Sequence, residues 1–80
     1  NPDHPAHEYA VGLARRFRAQ LRADLAAEQA AGRIREDLDL ELTATQLVAL
    51  IEGLQSEWLL DRSVDMSAVV RSFAEDLRAT

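Results

Sequence analysis

Between His7 and Ala31 the chain contains no proline and, of its glycines, only Gly12. At about 100° per residue, Ala10, Leu13, Ala14, Phe17, Leu21 and Leu25 point in one direction. This spacing predicts a long first helix over about 7–31 with an apolar core stripe. Its far side carries Ala19, Ala23, Ala26 and Ala30, which fits either a close helical neighbour or good helix formers facing water. Pro2 and Pro5 predict an irregular start or a helix entrance over the first six residues. Gly32 stands where a left-handed C-terminal cap belongs. Ile34 and Leu38 then read as apolar anchors of a short connection.

A second helix is expected over about 39–60, with Asp39 as N-cap and Glu41 at the positive end of the helix dipole. Thr43 with Gln46 has capping-box spacing and offers a later start. The helix shows two apolar directions. Leu40, Leu47, Leu50, Ile51, Leu54 and Trp58 form one; Leu42, Ala49, Gly53, Ser56 and Leu60 form another, nearly opposite. Such a helix needs cover on both sides, and the small residues of the second strip admit a close backbone. Asp61 to Val64 reads as a turn, and Asp65 caps a third helix over about 65–79. Met66, Val69, Val70, Phe73 and Leu77 make its single narrow seam. The fold expected is all-α, three helices running up-down-up.

Fourteen alanines and 12 leucines against seven Val and Ile support helix over strand. With no cysteine, disulfides, thiolate metal sites and thiol nucleophiles drop out. No export signal is evident and no apolar run is long enough to span a bilayer, so a cytoplasmic protein without a membrane partner is expected. The net charge of −5, with nine Arg and 14 acids, argues against a broad nucleic-acid footprint. Met66 is the only methionine, which leads us to expect that the 80 residues are a piece of something longer.

Candidate chemistry is sparse. His4, His7 and Glu8 have the spacing of metal ligands but sit at a proline-rich chain end. Asp37, Asp39 and Glu41 alternate like the start of a calcium loop, yet the Gly and the bidentate Glu that complete one are missing. Arg15, Arg16, Arg18 and Arg22 are offset by Glu8, Asp24 and Glu28, which favours a solvated face over phosphate contacts. No Ser-His-acid set, converging carboxylate pair or glycine-rich phosphate loop is present. The expectation is a protein that is not an enzyme and has no cofactor and no metal site.

The run Gly53-Leu54-Gln55-Ser56-Glu57-Trp58-Leu59-Leu60-Asp61, then Val64-Asp65-Met66 and Arg71-Ser72-Phe73, resembles the C-terminal end of TetR-family transcriptional repressors. Gly32-Arg33-Ile34-Arg35-Glu36-Asp37-Leu38-Asp39 is similar to the connection that enters the penultimate helix in that family. Leu40 and Arg62 depart from it where many relatives carry Pro. The resemblance implies a ligand-sensing and dimerisation domain, lacking the helix-turn-helix, whose last two helices pair with those of a second copy as a four-helix bundle. The homodimer interface is then expected at Leu42, Ala49, Gly53, Ser56, Leu60, Val69, Phe73 and Leu77. A small apolar effector would be lined by Phe17, Leu21, Leu47, Ile51 and Trp58, large apolar residues on the inward stripes. Operator DNA would be met only through the missing N-terminal domain. The competing expectation is a self-contained helical protein-interaction module.

Overall fold

The computed structural model describes residues 4–80, so the expectation placed on Pro2 lies outside the described residues. Three helices follow in order: α1 Pro5–Ala30, α2 Leu40–Leu60 and α3 Met66–Leu77.

α1 begins two residues before the expected position. His4 is extended and its imidazole Nδ1 accepts the Ala6 N–H at 3.0 Å. Pro5 takes the first helical position, where a missing N–H costs nothing. The other end closes as expected. Gly32 adopts φ +78°, its N–H donates to the Gln29 carbonyl, and the Arg33 N–H donates to the Glu28 carbonyl, both at 3.0 Å. These are the paired hydrogen bonds of a Schellman cap. The Gln29 side-chain amide then donates to the carbonyls of Arg35 at 3.1 Å and Glu36 at 3.3 Å, holding the connection against the helix end.

Asp39 wins the start of α2: its carboxylate accepts the Leu42 N–H at 3.1 Å. Thr43, the later alternative, lies inside the first turn with its hydroxyl donating to the Asp39 carbonyl at 2.8 Å. That bond permits a polar group 3% exposed. Asp65 caps α3 by accepting the Ala68 N–H at 3.0 Å.

α3 stops at Leu77, two residues short of the expected end, because the chain turns extended at Arg78 and pairs with Ile34 in an antiparallel bridge. The Arg35 N–H donates to the Leu77 carbonyl at 2.9 Å, and the Ala79 N–H donates to the Arg33 carbonyl at 3.0 Å. This clasp ties the segment after α1 to the end of α3, so α2 runs opposite to both: the up-down-up order holds.

Beneath the clasp Leu25, Ile34, Ala44 and Leu77 are buried together, with Leu21, Leu38, Leu40 and Phe73 packed on them. Val48 and Leu54 carry the burial along α2. Arg22 reaches Glu41 at 2.7 Å across the α1–α2 contact. Both α1 and α3 pack on α2, and the Cα extents are 45 × 31 × 14 Å. The smallest is less than half of either of the others, so the three helices form a slab.

Candidate functional site

Since a slab has two broad faces, each helix can hide only part of its circumference. On α2 the first apolar direction is used as expected: Leu54 is buried and Leu40, Leu47, Leu50, Ile51 and Trp58 are half-buried. Thr43, Ala44 and Val48 join them. The second direction is open, with Leu42 62% and Leu60 85% exposed and Ala49, Gly53 and Ser56 exposed between them. α3 does not cover that strip. The α3 seam instead serves the core beneath the clasp, where Leu77 is buried and Phe73 is half-buried. Val69 remains 37% exposed. Of the eight residues expected at an interface, six therefore lie open, Phe73 lies partly open, and Leu77 is taken up inside the chain.

Gly53 has no neighbour to accommodate within its own chain, since a Cβ built there meets nothing within 4 Å. The alanine stripe of α1 is uncovered as well: Ala19, Ala23 and Ala30 are exposed and Ala26 is half-buried.

The five residues expected around an effector do not converge. Phe17 is 44% exposed and lines a shallow groove with Ala10, Leu13 and Glu52. Trp58 lines another with Leu59 and Met66, and the Arg62 guanidinium sits 3.7 Å from its ring centroid. Leu21 packs on the core, and Ile51 is half-buried. Leu47 alone of the five reaches a third groove, of about 590 Å³, between the last turns of α1 and α3 and the near side of α2.

That third groove went unnoticed in the sequence. Its large apolar lining residues are Leu25, Ile34, Leu47, Val70, Phe73 and Leu77. Two ion pairs stand among its lining residues. The Arg33 guanidinium donates to both Glu28 oxygens at 2.7 and 2.9 Å, and Arg78 lies 3.3 Å from Glu75. The Arg33 hydrogen bond holds the Glu28 carboxyl below its ordinary range, and Glu28 in turn raises the Arg33 pKa. The clasp supplies both Ile34 and Leu77, so the groove exists only when residues far apart in the chain have met. No periodic pattern signals such a meeting.

Among the described residues no group of three or more His, Cys, Asp or Glu is placed to hold a metal ion. No helix there is long and apolar enough to cross a membrane. The family profile described as the BetI-type transcriptional repressor C-terminal domain matches residues 4–79. No curated protein and no solved structure matches the chain.

Proposed function

The chain belongs to the family of BetI-type transcriptional repressor C-terminal domains, and from that premise we propose that it joins two copies of a repressor and makes their arrangement responsive to a small molecule. The observation that carries the joining role is the open strip of α2. A compact 80-residue chain exposes about 4,800 Å², whereas this one exposes 6019 Å². The radius of gyration is 14.8 Å, against about 12 Å for a compact domain of this length. The surplus of about 1,200 Å² exceeds the roughly 800 Å² that each partner contributes to a standard interface. An isologous contact, in which the strip from Leu42 to Leu60 meets its own copy, uses that surface and closes the assembly. Gly53 lies at the middle, where its missing side chain lets two backbones approach. Val69 and the open part of Phe73 extend the contact onto α3, completing a four-helix bundle from two chains.

In this reading the domain works in the cytoplasm without catalysis, and operator DNA is gripped by a segment outside residues 1–80. A ligand bound among the helices favours one of the conformations available to the pair and so changes the spacing of the two DNA-reading heads. Sedimentation at micromolar concentration tests the joining step. Wild type should sediment as a dimer and Gly53→Arg as a folded monomer, because the long charged side chain of that variant has room within its own chain but not between two. Ala23→Arg, which places the same side chain on the exposed stripe of α1, should remain dimeric. A monomeric wild type, or a fully dimeric Gly53→Arg protein, overturns the proposal.

A further inference from the structure

We infer that Glu57 restrains the pairing of two copies, so that salt, or removal of this one charge, tightens the dimer; the inference rests on the joining role proposed above. Glu57 stands four residues after Gly53 and three before Leu60, so it shares their side of α2. At about 100° per residue it lies about 40° from the Gly53 direction, no farther round than Ala49 on the other flank. It is exposed, and among the described residues it takes part in no ion pair. Within one chain its carboxylate stands in water. Between two chains joined along the strip, the same carboxylate is drawn into the contact.

Nothing on the facing helix neutralises it. Over its 21 residues α2 carries no Arg, Lys or His, and its charged residues are Glu41, Glu52 and Glu57. Two such helices crossing at Gly53 therefore bring carboxylates together and no base. The nearest arginines in sequence are placed elsewhere. The Arg62 guanidinium lies 3.7 Å from the Trp58 ring centroid, and Arg78 faces Glu75. Arg71 stands about 200° round α3 from Val69, the residue that carries the contact onto that helix. Asp76, by contrast, follows Val69 by seven residues and lies within about 20° of it. It is exposed and in no ion pair among the described residues, and adds a second carboxylate to that side. Each copy also has a net charge of −5. Enclosing a charge without a partner opposes association, and like charges on two copies repel until salt screens them, the Debye length falling from about 10 Å at 0.1 M to about 3 Å at 1 M.

Sedimentation of the whole chain over a range of concentrations gives the dimer dissociation constant in about 50 mM and about 500 mM sodium chloride. At the lower salt Glu57→Gln should reduce that constant at least about fivefold, a gain that loss of folding cannot imitate. Glu57→Asp keeps the charge and should not reduce it. Asp24→Asn removes one charge from the exposed side of α1 and should change the constant less than about twofold. The higher salt should tighten wild type more than it tightens Glu57→Gln. A dimeric wild type with the same constant as Glu57→Gln, or with the same response to salt, overturns the inference and leaves the joining role standing. Tightening by Glu57→Asp or Asp24→Asn equal to that by Glu57→Gln also overturns it, since the effect would then not belong to the charge at position 57. If neither wild type nor Glu57→Gln associates at either salt, the joining role fails and the inference with it.

Discussion

Replacing Gly53 by Ala separates what this residue does within one chain from what it does between two. In the single chain nothing lies within 4 Å of the added Cβ. The methyl group therefore causes no clash, and only the backbone preference changes. Glycine in a helix interior is about 0.8–1.0 kcal/mol less favourable than alanine, so the isolated chain should gain about that much stability. For a domain of this size 1 kcal/mol corresponds to roughly 4–8 °C in Tm. If two α2 helices cross at Gly53, the same methyl group pushes them apart and weakens the dimer. Thermal unfolding followed by circular dichroism at two protein concentrations, one below and one well above the dimer dissociation constant, reads both effects. At the low concentration Gly53→Ala should melt about 4–8 °C above wild type; at the high concentration its advantage should shrink or reverse. A lower Tm in the dilute sample would mean that the chain itself crowds position 53. An equal gain at both concentrations would mean that no backbone approaches there.

Two further outcomes follow from the caps and turns. Gly32→Ala places a Cβ at φ +78°, and the left-handed conformation costs an L-residue about 1–2 kcal/mol; Tm should fall accordingly, with Gly32→Asn falling less. Asp61 is held below its ordinary carboxyl pKa of 3.8, first by the Ser63 hydroxyl and then by the Ser63 N–H, at 2.7 and 3.0 Å. Because the folded pKa is depressed, the stabilisation is present above about pH 4 and is lost as pH falls through the lower folded value. Ser63→Ala should raise the Asp61 pKa in a carbon-detected NMR titration and flatten the stability profile below about pH 4. An Asp61 pKa unmoved by that substitution would discount the hydroxyl.

The helix boundaries that the sequence announced were those set by local chemistry. Asp39, Asp65 and Gly32 act on atoms a few residues away, so their roles are visible in a linear string. The start of α1 was misplaced because its cap is the imidazole of His4, outside the usual Ser, Thr, Asp and Asn set. The end of α3 was misplaced because a tertiary pairing at Arg78 overrides the helical pattern there. Periodicity named the inward face of α2 but not Thr43, Ala44 and Val48, whose burial depends on where neighbouring helices lie around it. The five residues expected around an effector lie apart for a related reason. A wheel shows that Phe17 shares a face with Leu21 and Leu25, but it cannot show that α3 packs on α2 and leaves Leu13 and Phe17 uncovered. Family membership, by contrast, was legible in the runs around Gly32 and Gly53.

The pairing of Ile34 with Arg78 also imposes an order on how the molecule comes into being. The two helical hairpins join neighbours in sequence and can form by local search, on the fast timescale of helix and loop closure. The clasp must recruit segments from opposite parts of the chain, so it closes after both hairpins exist. During synthesis Leu25, Ile34 and Ala44 emerge well before Leu77, and until it arrives they face water or whatever else the nascent chain meets. The Arg33 carbonyl and the Arg35 N–H wait without their clasp partners through the same interval. A newborn chain is thus most vulnerable to proteases and to sticking just before α3 is released, and its resistance to both should appear late and abruptly.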